Sequence, residues 1–452
     1  MIPNWLYLSQ TSGNSGTTVI TVSAATNYNY FTRVAGLTVE TDNTQLSENV
    51  LIFQRASGYT DGDGYENDYL TFEILSAGSI CWKSNTGDVA ATIYYSKNNG
   101  TWYMWLGSAE SYLSVRKGDI VRFKTEINRF SNGTSYDTFS GTTAVFNLLG
   151  NIMSMGYGDN FSGKTVFDGG NDYTYEHLFE GCTGLTNADN LVLPALTLTK
   201  QCYGYLFNGC NHLQRPPKLP ATTLVEYCYY HMFEGCSSLM TAPELPATTL
   251  ANSCYKGMFK GCSSLISAPS LPVTALTDSC YAYMFAGCSS LTKAPKLPST
   301  TLNGACYRGM FQDCTSLTTA PALPSTALTL ACYAEMYQGC TSLVSVPSNY
   351  LPATTVIQQC YYHMFSGCTS LKQAPELLAS DISPLACYSN MFRNCSSLSY
   401  VKCMSNSINT YSVDSWLLGV SKYGTFVKTA GVNWGYGGNN GGIPYYWNII
   451  DG

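Results

Sequence analysis

The stretch CYKGMFKGCSSLISAPSLPVTAL, residues 254–276, is followed almost unchanged by CYAYMFAGCSSLTKAPKLPSTTL, residues 280–302. Cysteines of a first column recur every 26 residues from Cys202 to Cys332 and continue at Cys360 and Cys387. A second-column cysteine follows each of them eight residues later, and Cys182 precedes the series. A fixed period of about 20 to 50 residues is typical of stacked repeats, because a unit of that length cannot bury its hydrophobic face alone. The sequence therefore predicts a solenoid over residues 173–403.

Each copy divides into two segments of different character. Leu250, Cys254, Met258 and Cys262 recur every four residues, which predicts one face of a short helix. Residues 263–269 (SSLISAP) are bounded by turn formers, and they predict a strand on the other side of the copy. Units of this kind stack into an α/β solenoid, in which each copy presents the surface that the next one buries.

The recurring pattern MFxGCSSLxxAPxLPATTL resembles the BspA-like variety of leucine-rich repeat, which is found in Bacteroidales surface proteins and their phages. The resemblance covers residues 173–403, about half of the chain. It implies a stacked, curved α/β leucine-rich-repeat solenoid that is used for adhesion or display. It implies no catalytic residues.

The nineteen cysteines are open to three interpretations. A disulfide framework is typical of secreted proteins. A metal site would need short ligand spacings and partner histidines, which the eight-residue spacing does not offer. Cysteine also stacks well as a small apolar residue, and the odd total leaves one thiol unpaired. We therefore favour reduced thiols in the core, with disulfides in some copies as the alternative, and we expect no metal.

A tyrosine follows each first-column cysteine, from Tyr203 to Tyr388. An aromatic column of this kind can stack sugar rings, but it can equally stack on itself and cover one side of the solenoid. We favour the second interpretation, in which the column is structural.

The first 56 residues alternate between apolar and polar side chains, which predicts an all-β sandwich. Their P-x-W-L opening resembles the BACON domain, an immunoglobulin-like module of Bacteroidales glycan systems and phages. We predict that Trp5 in this motif is a core residue, with a sugar platform as the alternative. Residues 57–68 are predicted to be an acidic linker, although Asp61, Asp63 and Asn67 have a spacing reminiscent of a calcium loop.

Residues 69–172 contain five strand-like runs, YLTFEIL, ATIYYSK, TWYMWLG, DIVRFKT and TAVFNLLGNIMSMG, and they predict a second all-β domain. Trp82, Trp102 and Trp105 make this segment a source of candidate exposed aromatic side chains. Residues 404–452 are predicted to be a C-terminal cap, since an open solenoid end would expose apolar surface. The predicted fold is two all-β sandwich domains followed by the solenoid and its cap.

Composition argues against several classes of partner and reaction. Charged residues make up 12% of the chain and the net charge is −6, so a basic nucleic-acid footprint is not expected. No stretch approaches the roughly 20 apolar residues of a membrane span. The motifs G-x-S-x-G and H-E-x-x-H are missing, and we expect no phosphate-binding loop. These observations predict a protein without enzymatic activity, cofactor or metal, and without nucleic-acid binding or membrane insertion.

Recognition in a repeat of fixed framework must come from the positions that vary between copies. On the predicted strand face these include Met240, Ile266, Thr292, Lys293, Lys296, Lys372 and Gln373. The side that carries the cysteines is richer in aromatic and hydrogen-bonding groups, which suit sugar rings or a protein hot spot. We therefore predict that binding involves residues of that side, with two tryptophans of the middle segment as the alternative: Tyr205, Tyr230, His231, Tyr283, Tyr362 and His363, or Trp102 and Trp105.

Two functions remain. The first is a structural or adhesion protein of a phage virion, a tail or fibre-type component made in the host cytoplasm that contacts other virion proteins, host glycan or host protein and can form homo-oligomers. The second is a bacterial cell-surface glycan- or protein-binding protein that has lost its leader. Met1 directly before the first domain, and a cytoplasm that keeps nineteen cysteines reduced, favour the phage.

Overall fold

The computed structural model describes four strands before residue 55, and residues 65–85, 92–106, 111–127, 129–407, 409–437 and 441–452. The chain forms two compact units, residues 1–64 and 65–452. In the first unit, β1 pairs antiparallel with β2, and β3 pairs antiparallel with β4. These strands are β1 (Leu6–Leu8), β2 (Val22–Ala24), β3 (Arg33–Thr41) and β4 (Thr44–Gln54). The predictions for Trp5, Asp61 and Asp63 lie outside the described residues.

The second unit contains eleven strands and one short helix among its described residues. They are β5 (Leu70–Ser76), β6 (Gly78–Trp82), β7 (Ile93–Lys97), β8 (Trp102–Trp105), β9 (Ser111–Val115), β10 (Ile120–Lys124), β11 (Val145–Asn151), α1 (Ser154–Tyr157), β12 (Leu185–Val192), β13 (Tyr400–Cys403), β14 (Gly424–Lys428) and β15 (Trp447–Asp451). Single 3₁₀ turns occupy Gly158–Asn160 and Asp168–Gly170. No helix in the described part of the chain is long and apolar enough to cross a membrane.

A six-stranded sheet precedes the repeats, in the order β12-β11-β5-β10-β7-β8. Each of the five runs predicted in residues 69–172 contributes a strand to it. Alternating residues of β5 and β11 face the core, where the rings of Phe72 and Phe146 stack 4.4 Å apart. Strand β11 also pairs in parallel with β12, which belongs to the first repeat. The sheet is therefore continuous with the repeats.

The prediction of a short helix in each copy is wrong. Ser253, Gly257 and Gly261 have φ angles of 53°, 62° and 74°, and a right-handed helix cannot contain them. The segment is instead a series of overlapping turns: every even-numbered residue from Cys254 to Cys262 donates its N–H to the carbonyl three positions back. We call this segment the turn ribbon. Its period is four residues, which is why the spacing of the apolar side chains resembled a helix.

The remaining N–H groups of the turn ribbon join one copy to the next. Odd-numbered residues from Ser253 to Gly261 donate to the carbonyls of residues 278–286, with N···O distances of 2.7–3.1 Å. The same alternation recurs between successive copies along the chain. Because every backbone donor of the ribbon is used in this way, neighbouring copies are held in a fixed register.

The predicted strand of each copy is reduced to isolated parallel bridges, such as Thr241 to Ser267 and Lys293 to Thr319. Proline explains the difference, since it has no N–H to give to a ladder. Copies with the sequence Ala-Pro or an equivalent proline show only bridges. The first and last copies have Ala-Asp and Val-Lys at that place and form the true strands β12 and β13.

Side chains of equivalent positions stack in columns through the repeats. The tyrosines after the first-column cysteines are buried, and their rings lie parallel about one copy apart, as in Tyr203 to Tyr229 at 5.9 Å. A phenylalanine column runs beside them, with Phe233 to Phe259 at 5.7 Å. The structural interpretation of the tyrosine column is thus confirmed, because a buried column offers no face to a sugar.

All nineteen cysteines are buried thiols that form no disulfide. Each second-column thiol donates to the carbonyl of the aromatic residue three positions before the equivalent cysteine of the preceding copy, as Cys262 does to Phe233 at 3.1 Å. The first-column thiols are equally enclosed. Burial raises the pKa of Cys280 to about 11 and that of Cys202 to about 12, so these thiols stay protonated and unreactive at neutral pH.

Residues after 403 complete the last copy. Its ribbon donors Asn390, Phe392 and Asn394 bond to the carbonyls of Asp414, Trp416 and Leu418. Strand β13 continues into a parallel sheet with β14 and β15. The C-terminal segment therefore satisfies backbone groups that would otherwise be exposed.

The thiols provide a first test of this packing. Denatured protein should react with about nineteen equivalents of a thiol reagent without prior reduction, and native protein with few, because the native thiols are buried and protonated. Absorbance titration with the reagent measures both values. Eight or more disulfides found by non-reducing peptide mapping would contradict the free-thiol packing.

Deletion variants test the register between copies. Removal of residues 254–279 joins Ser253 to Cys280 in the original register, so a folded protein that is shorter by one copy should result. Removal of residues 404–452 leaves the last ribbon donors unpaired and should cause aggregation. Size-exclusion chromatography and circular dichroism distinguish these outcomes, and a soluble, folded protein without residues 404–452 would contradict the capping role.

Candidate functional site

The third residue after each first-column cysteine occupies a left-handed position of the turn ribbon. We call this row of residues the left-handed column. Its members have φ angles between 50° and 62°: His177, Tyr205, His231, Gly257, Tyr283, Gly309, Glu335, His363 and Asn390.

Only two members of the left-handed column are glycine, the residue that this backbone conformation favours. A residue with a Cβ atom costs roughly 1–2 kcal/mol in the same conformation. Tyrosine, histidine and glutamate therefore occupy the column against their backbone preference. The residue before each first-column cysteine has the same conformation, as Ser253 does at φ 53°, so the turn ribbon itself imposes it. The large aromatic and polar side chains of this column are what make it the leading candidate surface.

The first part of the column is an aromatic stack. The imidazole of His177 lies between the rings of Tyr136 and Tyr205, at 4.0 and 4.6 Å. Tyr205 stacks in turn on His231 at 5.4 Å, and the ring of Tyr230 meets both of these at a steep angle. The structure thus brings together three of the predicted residues, Tyr205, Tyr230 and His231. All three are half-buried, so one edge of the stack is accessible.

Carboxylates anchor the histidines of this stack. His177 Nδ1 lies 2.8 Å from Glu180, and His231 Nδ1 lies 2.5 Å from Glu234. Burial tends to raise the pKa of Glu234, but the hydrogen bonds from His231 and Lys260 outweigh it and lower that pKa to about 2. The contribution of Glu234 to stability is therefore present above its ordinary pKa and is lost as the pH falls towards 2. At neutral pH the Glu234 carboxylate is therefore ionised, and the ammonium of Lys260 lies 2.9 Å from it.

A second cluster forms around Glu335. Its carboxylate accepts hydrogen bonds from Tyr283, at 2.5 Å, and from Arg308, at 2.8 Å. The ring of Tyr283 lies over Gly309, where a Cβ atom would come within 2.2 Å of it. Burial, followed by the hydrogen bond to Glu335, raises the pKa of Tyr283 to about 12. Glycine at 309 therefore makes room for a tyrosine that reaches two copies along the column.

His363 is the next residue of the column and carries an unused polar atom. Its Nδ1 is buried and has no hydrogen-bond partner among the described residues. Burial lowers the pKa of His363, so the ring is neutral at neutral pH. Tyr362 packs against the ring at 4.3 Å and is half-buried. The predicted residues Tyr283, Tyr362 and His363 thus extend the same surface.

The tryptophans of residues 69–172 differ from the expectation that they are exposed. Trp82 is fully buried. Trp102 and Trp105 lie on the edge strand β8 and are half-buried, and the ammonium of Lys124 lies 4.5 Å from the ring of Trp102. The exposed side chains of this strand are Tyr103 and Met104, which the sequence analysis did not select.

Residues 158–165 (GDNFSGKT) fit the pattern G-x-x-x-x-G-K-T of a phosphate-binding loop, contrary to the expectation that the chain has none. The structure lacks the context that the pattern requires, a strand before the loop and a helix after it. Gly158–Asn160 form a 3₁₀ turn directly after α1, and Lys164 lies over the ring of Tyr157 at 4.9 Å. Asp159 is bound by Lys124. We therefore assign no nucleotide site here.

The predicted calcium alternative receives no support from Asn67, whose side-chain oxygen accepts a hydrogen bond from Ser162. In the described ranges, no three histidine, cysteine, aspartate or glutamate side chains are grouped so that they could hold a metal ion.

Sequence reasoning missed Tyr136, His177 and Glu335 as members of the candidate surface. A signal for Glu335 was present: Gly257 and Gly309 stand among large residues at the third position after the first-column cysteine. Glycine at such a place indicates a left-handed position. Tyr136 lies before the repeats and has no counterpart in them, so only the fold brings it to the column.

Substitutions at Tyr205 test the left-handed conformation. Both Tyr205→Ala and Tyr205→Gly remove the ring, but only alanine keeps a Cβ atom at φ 53°. The alanine variant should therefore be the less stable of the two, by about 1 kcal/mol, in urea unfolding. Lys256, which lacks a positive φ angle, is the matched control, and there alanine should be more stable than glycine. The same order at both positions would contradict the assignment.

Comparison with known proteins agrees with the repeat architecture. The family described as BspA type leucine rich repeat region matches six copies, over residues 173–318 and 305–417. A search of curated proteins and of solved structures found no match. Together the two matched ranges span more than half of the chain, and repeats of this type are associated with binding or adhesion. The chain therefore belongs to the BspA-type leucine-rich repeat family.

Proposed function

We propose that this chain is a non-enzymatic adhesion or structural protein of a phage virion, a tail or fibre-type component whose left-handed column contacts a host surface glycan or a partner protein. One observation carries the proposal: aromatic and hydrogen-bonding side chains occupy left-handed positions in a row. The turn ribbon fixes the backbone beneath them, so little conformational freedom is lost on binding.

The chemistry of the column suits a glycan or a protein hot spot. Tyrosine and histidine rings present flat faces together with polar atoms, which is the combination that sugars and protein hot spots use. The carboxylates of Glu180, Glu234 and Glu335 are already paired with a histidine or an arginine, and this supports a binding role over an acid–base role.

The thiols support the virion over the cell surface. Nineteen buried cysteines that form no disulfide are most easily preserved in a reducing cytoplasm, where virion proteins fold and assemble. The alternative is a bacterial cell-surface protein that binds glycan or protein, and the family match is compatible with it. Mass spectrometry of purified particles and of cell envelopes distinguishes the two, as does the presence of capsid and portal genes, or of glycan-uptake genes, beside the coding sequence.

A triple variant tests the left-handed column and its neighbours as the binding surface. Replacement of Tyr230, Tyr283 and Tyr362 by alanine should abolish attachment to host cells or glycans, because it removes rings from both clusters. The thermal midpoint should change little, since these rings are only half-buried. Retention of labelled protein on cells measures attachment.

The matched control is the double variant Trp102→Ala, Trp105→Ala, which removes two half-buried rings from the sheet. If attachment survives the triple substitution and is lost in the double variant, the repeats are a spacer and the six-stranded sheet is the binder.

A further inference from the structure

The C-terminal segment presents a group of exposed tyrosines that neither the capping role nor the proposed function uses. In the repeats, the column tyrosines are at most 2% exposed. Five tyrosines after residue 403 are instead 54–75% exposed: Tyr411, Tyr423, Tyr436, Tyr445 and Tyr446. Exposed aromatic rings in this density mark an interaction surface.

Two of these tyrosines form a site together with a lysine. The rings of Tyr423 and Tyr446 lie 5.8 Å apart at an angle of 60°. Lys422 Nζ lies 5.3 Å from the first ring and 5.1 Å from the second. No carboxylate pairs with Lys422 among the described residues, whereas Lys428 on the same strand pair is bound to Asp451. A cation without a counter-ion is thus held over two exposed aromatic rings.

The backbone beneath this site is rigid. Gly424 of β14 is paired with Trp447 of β15, so the residues directly before them, Tyr423 and Tyr446, are neighbours. The indole of Trp447 is 2% exposed and donates to the carbonyl of Ser421 at 2.8 Å. A Cβ atom at position 424 would come within 2.6 Å of that indole, so only glycine permits this packing. The two rings are therefore placed by a buried tryptophan and not by a mobile loop.

We propose that Lys422, Tyr423 and Tyr446 form a binding site for a saccharide that carries carboxylate groups. The tyrosine rings would pack against the apolar C–H face of a sugar ring, and their hydroxyls remain available for its polar edge. The ammonium of Lys422 would pair with the carboxylate. Tyr436 and Tyr445 form a second stacked pair in the same C-terminal segment, with ring centroids 6.4 Å apart.

The charges of the region favour this ligand over other occupants. A nucleic acid would require several cations, and the net charge of the chain is −6. Tyrosine is also enriched in protein interfaces, so a second copy of the chain is the competing occupant that the test must distinguish. The overall negative charge does not oppose an acidic sugar strongly, because salt screens charges beyond about 8 Å at physiological ionic strength. The unpaired Lys422 acts at short range.

The site goes beyond the proposed function, since it shares no residue with the left-handed column.

The test uses the full chain and fluorescently labelled oligogalacturonate, with the methyl ester of the same oligosaccharide as the uncharged control. Wild-type protein should bind oligogalacturonate and should bind the methyl ester at least fivefold more weakly, by fluorescence polarisation. The variant Tyr423→Ala, Tyr446→Ala should lose at least tenfold in affinity for the acid, and Lys422→Gln should bind acid and ester alike.

Tyr411→Ala is the matched control, because Tyr411 is 75% exposed and takes part in no ring pair among the described residues. It should bind as the wild type does, and all variants should keep the wild-type thermal midpoint. The proposal is overturned if the wild type binds neither probe, if it prefers the ester, or if the double variant binds normally. A concentration-dependent dimer that Tyr423→Ala, Tyr446→Ala abolishes would instead identify a second copy as the occupant. None of these results bears on whether the Tyr230, Tyr283 and Tyr362 variant loses cell attachment. Failure of this proposal and failure of the proposed function can therefore be told apart.

Discussion

The hydrogen bonds between successive turn ribbons are the constraint on which the rest of the second unit depends. Alternate N–H groups close turns within a copy, and the others reach the next copy at 2.7–3.1 Å in the segment 253–261. This division leaves no ribbon donor unpaired. It also fixes which residues of successive ribbons face each other, even where the step lengthens from 26 to 28 residues between Cys332 and Cys360, because a shift of one residue would exchange the two sets of donors.

The side-chain columns follow from that register. Equivalent tyrosines and phenylalanines lie 5.5–6.1 Å apart, close enough for parallel rings to contact. A cysteine fits beneath each carbonyl because its thiol is small, apolar and a weak donor. Leucine would not fit under the carbonyl, and alanine would leave it without its donor. The near-identity of the copies thus has a packing reason and requires no function.

Variation between copies is found where the register leaves side chains partly exposed. The left-handed column is such a row, because Tyr205, Tyr283 and Glu335 are half-buried on a backbone that the ribbon fixes. Its members still depend on one another, since a Cβ atom at Gly309 would come within 2.2 Å of the Tyr283 ring. The end of the chain offers a second kind of surface, where Trp447 and Gly424 position exposed rings on a small parallel sheet. Both surfaces combine a rigid backbone with accessible aromatic groups.

The sequence by itself determined the period, the burial of the cysteine and tyrosine columns and the strands of residues 69–172, because these depend on which residues recur or alternate. It also contained the reason for the missing strands, since only the two copies without proline form β12 and β13. The tertiary structure alone decided that a four-residue spacing is a turn ribbon and not a helix. The N–H groups of Ser253, Gly257 and Gly261 bond to carbonyls of the next copy and not to carbonyls within their own segment, and no local sequence pattern reveals those acceptors. For the same reason only the fold could join Tyr136 to His177, or Tyr423 to Tyr446: such contacts connect residues that are distant in sequence.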